Sequence, residues 1–198
     1  METQYIQMIK KNFEVNVKSL TKNKFFLFYG VNEGAKKEKI SQLFSKFNPL
    51  DINKYEEIQI IENEKIFFED IMSKSFFQKD RILIINYVTD KFLKIFEEII
   101  EKKISDTTII LNAKILEKKS KLRAYFERGK DLICVPFYDD NQEVLLKIAI
   151  SFFKENKILI SRSDINLVIS KCNGDRELLK NELNKIKFFT HNGKKLPA

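Results

Sequence analysis

KFFLFYGVNEGAKKEKISQLFSKF, Lys24 to Phe47, is the stretch on which the fold turns. From Phe25 to Tyr29 every residue is apolar or aromatic, and the run stops at Gly30. An unbroken apolar run of this kind is a strand covered on both faces, as parallel strands are. Beyond the glycine turn, Ile40, Leu43, Phe44 and Phe47 recur at helical spacing, and the helix must stop before Pro49. Strand, glycine turn and helix in that order form the setting of a phosphate-binding loop.

The chemistry of such a loop is missing. The pattern GxxxxGK[ST] supplies glycine-rich backbone, a lysine for the terminal phosphates and a hydroxyl for magnesium. Here Gly30 and Gly34 stand one residue too close, Ala35 follows Gly34, and no Ser or Thr follows Lys36 or Lys37. The loop is expected to keep its architecture and to bind no nucleotide. The alternative is an unusual P-loop NTPase that uses Lys36 or Lys37.

Working outward, Tyr5, Ile6, Ile9, Phe13, Val17 and Leu20 place an amphipathic helix over residues 3 to 20. Downstream the strand-helix alternation repeats. Tyr55 to Ile61 reads as a strand with Ile58 and Ile60 inward, and Glu64 to Ser75 as a helix. Arg81 to Asn86 is a third strand, and Thr89 caps a helix bearing Phe92, Leu93, Phe96, Ile99 and Ile100. Thr107 to Leu111 is a fourth strand, ending in Asn112 where an ATPase would carry acidic residues for magnesium. Ser120 to Arg128 is a helix and Leu132 to Val135 a fifth strand. The fold class that follows is α/β, a five-stranded parallel sheet in three layers, over residues 1–138.

From Asp139 the pattern changes to helices alone. Asp140 and Glu143 read as a capping box, Ser163 as the start of a second helix ending at Asn173 and Gly174, and Asp175 as the cap of a third. Residues 139–198 are therefore expected to form a small three-helix domain.

Composition narrows the chemistry. The 198 residues carry 36 Lys and Arg against 28 Asp and Glu, a net charge of +8 that favours acidic partners. Cys134 and Cys172 form no CxxC, and His191 is the one histidine, so neither a metal site nor a Ser-His or Cys-His nucleophile assembles. Carboxylate pairs sit at element ends, where capping explains them. No run is apolar for long enough to span a bilayer, and a cytoplasmic protein free of the membrane is expected. Lys118, Lys119, Lys121 and Arg123 gather at one helix start, which fits either a solvated surface or DNA phosphate contacts. A basic DNA-binding module thus stays open as a reading.

One apolar corner is left over. In SFFQKDRILII, Ser75 to Ile85, Phe76 and Phe77 end one element just before a strand whose mouth is Arg81. On pattern alone the pair suits core burial and exposure equally.

FLFYGVNEG, SFFQKDRILII, TTIILNAKILEKKSKLRAYFE and NGDRELLKNELNKI, in that order, resemble the delta subunit of the bacterial DNA polymerase III clamp loader over essentially the whole chain. The resemblance implies an AAA+-type first domain without ATP binding or intrinsic ATPase activity, and a helical lid. It also implies a collar domain that would follow Ala198, so a truncated chain is expected, with a divergent short form as the alternative. No cofactor is implied. The implied partners are the sliding clamp, which is the beta subunit, other clamp-loader subunits, and DNA within the complex. In that family a Ser, a large apolar residue and Phe, then a turn and Arg, bind the clamp and open the ring. Ser75, Phe76, Phe77 and Arg81 match, with Phe76 where leucine is more usual.

Overall fold

The fully apolar runs do become adjacent strands. In the computed structural model, which describes residues 24–47, 51–75, 81–104 and 107–191, five strands form one parallel sheet in the order β2-β3-β4-β1-β5. The strands are β1 (Phe25–Gly30), β2 (Asp51–Glu56), β3 (Arg81–Asn86), β4 (Thr107–Ala113) and β5 (Leu132–Phe137). The helix expected over residues 3 to 20 lies outside the described residues, as do Phe76 and Phe77.

Alternate side chains assign the two faces. Leu27, Tyr29, Leu83, Ile85, Ile109, Leu111, Leu132 and Cys134 join one core. Their neighbours Phe26, Phe28, Ile82, Ile84, Ile110, Ile133 and Val135 are buried too, although no member of that core. Both faces are therefore dry, and helices must cover each. The first core is completed by Ile60, by Phe67, Phe68 and Ile71 of one long helix, by Ile95, Phe96 and Ile99, and by Leu122 and Phe126. Phe96 stacks on Phe126 at 4.7 Å between ring centroids and receives the edge of Phe25 at 5.7 Å. The fully buried rings of Phe96 and Phe126 each contribute about 1.5–3 kcal/mol through burial.

The helices of the sheet unit are α1 (Glu33–Phe47), whose residues 33–37 group with the other unit, α2 (Glu57–Glu62), α3 (Glu64–Ser75), α4 (Leu93–Glu101) and α5 (Lys121–Arg128). The expected strand Tyr55 to Ile61 is corrected: the strand ends at Glu56 and Glu57–Glu62 is helical. Three interactions turn the chain there. The Glu56 N–H donates to the Gln59 side chain at 3.0 Å, closing a capping box. The Glu57 carboxylate accepts from the Thr89 N–H at 2.9 Å and its hydroxyl at 3.0 Å. Ile60 enters the core, while Ile58, expected inward, is 55% exposed.

The other unit carries α6 (Gln142–Glu155), α7 (Arg162–Cys172) and α8 (Arg176–His191) around Leu145, Ala149, Phe153, Ile165, Ile169, Cys172, Leu179 and Leu183. Asn141 caps α6, its side chain accepting the Val144 N–H at 2.9 Å. The expected Asp140 capping box is thus replaced, because Asp140 is engaged by Arg176 and Glu143 by Lys147. Ser161, two residues before the expected start, caps α7, which ends at Asn173 in the left-handed region (φ 46°). Asp175 caps α8 through the N–H groups of Glu177 and Leu178. By contacts the chain divides into the sheet unit, residues to Val31 with Glu38–Phe137, and a second unit of Asn32–Lys37 with residues from Tyr138 onward. The segment after β1 thus groups with the three helices.

Asp90 fastens α5. It accepts from the Ser120 hydroxyl at 2.6 Å and the Leu122 N–H at 3.0 Å. Burial pushes its carboxyl up, but the hydrogen bonds from Ser120, Leu122 and Lys121, with the Lys121 charge, outweigh burial and hold it below the usual aspartate range. A carboxyl held low in the folded state contributes stability above its unfolded value, about 3.9, and loses that contribution as pH falls through the folded value. Asp90→Asn is therefore expected to lower urea stability at pH 7 by at most about 1 kcal/mol, since the side chain is largely exposed. The difference from wild type should shrink toward pH 3 in matched urea titrations.

Candidate functional site

The glycine turn is shaped by two close approaches, one in each unit. Gly30 has φ +126°, and a Cβ there would lie 2.1 Å from the Phe137 carbonyl oxygen. Only glycine fits between β1 and the end of β5. In the second unit, a Cβ on Gly34 would stand 2.9 Å from the Glu177 backbone nitrogen and 3.3 Å from Arg176. The beginning of α8 therefore lies against the beginning of α1.

Asn32 organises the segment between them. Its Oδ1 accepts the Ala35 N–H at 2.9 Å and so caps α1. Its Nδ2 donates to the Tyr138 carbonyl and to Asp140 Oδ2, each at 3.0 Å. Asp140 in turn accepts two bonds from Arg176, Nε to Oδ2 at 2.6 Å and Nη2 to Oδ1 at 2.7 Å, the planar fork that carboxylates favour. The two lysines of the loop are engaged as well. Lys36 is 1% exposed with Nζ 2.8 Å from Glu33, and Lys37 pairs with Glu177 across the two helix starts. The sequence singled out Gly30, Gly34, Lys36 and Lys37; the structure adds Asn32, Asp140 and Arg176. Asn32 was legible as a capping type before a helix, whereas nothing in the pattern linked Asp140 to Arg176.

At the carboxyl ends of β3 and β4, where a magnesium site would need carboxylates, the chain places amides. Asn112 Nδ2 donates to Asn86 Oδ1 at 3.0 Å, and Asn86 Nδ2 reaches the Tyr55 carbonyl at 3.5 Å. Among the described residues no cluster of His, Cys, Asp or Glu could hold a metal ion. Burial, helped by the charge of Glu127 and opposed by Arg123, pushes the Cys134 thiol up to about 12. It is an inert core thiol.

The expected clamp-binding residues fall at the α3–β3 connection. Ser75 is the last residue of α3, and Phe76 and Phe77 lie outside the described residues. Arg81, the first residue of β3, is 2% exposed, and its Nη2 donates to the Ile71 carbonyl in α3 at 3.3 Å. Its guanidinium is thus an interior tie between helix and strand.

The cationic cluster separates in the same way. Lys118, Lys119 and Lys121 are exposed, Lys119 pairing with Glu117 at 2.9 Å. Arg123 turns inward to Glu127 at 2.7 Å and the Leu116 carbonyl at 3.2 Å, with its guanidinium 5.0 Å from the Tyr29 ring centroid. Lys119 and Lys121 instead share a groove of ≈ 740 Å³ with Arg128, Lys130, Asp131 and Tyr125. Arg128 and Lys130 escaped the sequence reading because they belong to the far end of α5 and the turn after it.

Gly34→Ala tests the tight approach of α8 to the loop. It is expected to destabilise the chain by about 1–3 kcal/mol in urea denaturation, because the added methyl meets backbone that cannot swing aside.

No family model matches the chain. It is 21% identical over 188 residues to a Rickettsia prowazekii protein named "Probable DNA polymerase III subunit delta", covering 94% of this chain and 56% of that protein. The chain thus spans little more than half the length of that relative. Among solved structures, it superposes on the Bacillus subtilis DNA clamp loader delta protein YqeN with TM-score 0.53 at 14% identity, over 88% of this chain and 56% of that one. It also superposes on RuvB of Thermotoga maritima with TM-score 0.62 at 12% identity, over 90% of this chain and 60% of that one. The fold is that of the AAA+ P-loop-like proteins, and the chain resembles the clamp-loader delta subunit in sequence over nearly all its length.

Proposed function

We propose that this chain is the first domain and lid of a clamp-loader delta subunit, a non-catalytic member of the DNA polymerase III assembly. In this reading it binds no nucleotide and displays Ser75, Phe76 and Phe77 to the sliding clamp. Its similarity to the Rickettsia protein and to YqeN supports the class.

The observation that carries the binding role is the frame around the phenylalanine pair. α3 is anchored by Phe67, Phe68 and Ile71 in the core, and β3 is buried from Arg81 to Ile85. Arg81 joins the two by its bond to Ile71. Both ends of the Ser75–Arg81 connection are therefore fixed, and whatever the pair meets, it meets from a rigid base. Arg81 serves here as a positioning residue.

Ring opening then needs no hydrolysis in this chain. A surface that fits the open clamp interface better than the closed one shifts the ring toward opening by the difference in binding free energy. ATP would act in the other subunits of the loader. The carboxylate and helix start packed into the loop, and the amides at β3 and β4, speak against the unusual NTPase. Within the assembly, Lys118, Lys119 and Lys121 would face DNA phosphates, joined by Arg128 and Lys130 rather than by Arg123.

Binding to the cognate sliding clamp, followed by surface plasmon resonance, tests the proposal. Phe76→Ala with Phe77→Ala is expected to weaken binding by more than about 100-fold, two rings at about 1.5–3 kcal/mol each. Clamp affinity unchanged in the double variant would remove the wedge.

A further inference from the structure

The contact between Asp140 and Arg176 is built like an occupied anion site. Arg176 grips the carboxylate with two bonds, at 2.6 and 2.7 Å, and Asn32 adds a third at 3.0 Å. The carboxylate is 8% exposed and the arginine 13% exposed, so the pair is largely out of water. Its three donors come from either side of the approach marked by Gly34: Asn32 caps α1, and Arg176 begins α8. A surface ion pair needs neither this burial nor the amide.

The position matters as much as the bonds. A strand, a glycine turn and a helix start ordinarily receive a free anion, whose charge draws backbone and cationic side chains toward it. Here a carboxylate of the chain itself reaches the loop, through the Asn32 side chain. We propose that Asp140 is a permanent, covalently supplied anion that latches Asn32–Lys37 to the start of α8, and that beneath it lies a latent site for a small carboxylate or phosphate. The latch holds without a ligand, which goes beyond the clamp-binding role and does not depend on it.

Chemical rescue tests the idea, because a free anion restores only a site that was an anion site. Thermal melting of the whole chain is compared in sodium chloride and sodium acetate at equal ionic strength. Asp140→Ala is expected to melt roughly 6–12 °C below wild type in chloride, since Arg176 loses its buried partner. Acetate should recover about a third or more of that loss while moving wild type by about 1 °C or less, by binding the folded state alone. Inorganic phosphate, run in parallel, should act in the same direction.

Asp140→Asn is the control that keeps the space filled. It should lose stability without recovery in acetate, because the amide occupies the site and carries no charge. Should Asp140→Ala fail to fold, the asparagine variant still decides by hydrogen exchange: faster exchange at the Ala35 amide and the first turn of α8 supports the latch, and unchanged exchange overturns it. Acetate raising Asp140→Ala no more than it raises wild type, or Asp140→Ala melting with wild type, would equally overturn the proposal.

Discussion

A parallel sheet has no face to give to water, and most of this structure follows from that constraint. Each strand of β1, β3, β4 and β5 is buried on both sides, so helices have to lie above and below, and each connection has to cross the sheet. The crossovers bring the carboxyl ends of β1, β3 and β4 to one edge, the place where open α/β sheets take their ligands. The same rule that builds the core therefore builds the frame of a nucleotide site, whatever chemistry the side chains then supply.

In this chain the polar groups of the segment after β1 are bonded within the chain. Asn32 caps α1 and donates to the carboxylate of Asp140, and Arg176 and Glu177 lie against Gly34. At the neighbouring strand ends, Asn86 and Asn112 hydrogen-bond to one another. Charge and polar groups that could have been held for a ligand satisfy each other instead. The consequence, on the reading proposed here, is a static platform whose working surface lies elsewhere, at the α3–β3 connection braced by Arg81. Such a part contributes to a larger machine by binding, and leaves the energy of hydrolysis to its partners.

How much of this the sequence carried depended on how far each interaction reaches along the chain. FFLFY, RILII, TTIIL and LICV announce buried strands because continuous burial leaves continuous apolar runs. DINKYE announces nothing, because β2 is an edge strand with Ile52 40% exposed, and its helix start at Glu57 depends on Thr89, 32 residues away. The missing lysine–hydroxyl pair of the phosphate loop was plain in the sequence. The carboxylate that holds Asn32 and Arg176 together was not, since Asp140 and Arg176 meet across 36 residues and Asp140 has the position of a helix cap. Arg123 likewise groups in sequence with Lys118, Lys119 and Lys121, yet its guanidinium forks onto Glu127 and the Leu116 carbonyl. Charge type is local information, but its direction is set by packing.

On the reading proposed here, a nucleotide-binding architecture persists without a working nucleotide site. Calorimetric titration of the purified chain with ATP and magnesium tests it most directly. No saturable heat is expected up to millimolar ATP, with or without magnesium. Saturable magnesium-dependent binding would contradict it, and would make the loop at Gly30 to Lys37 a working site.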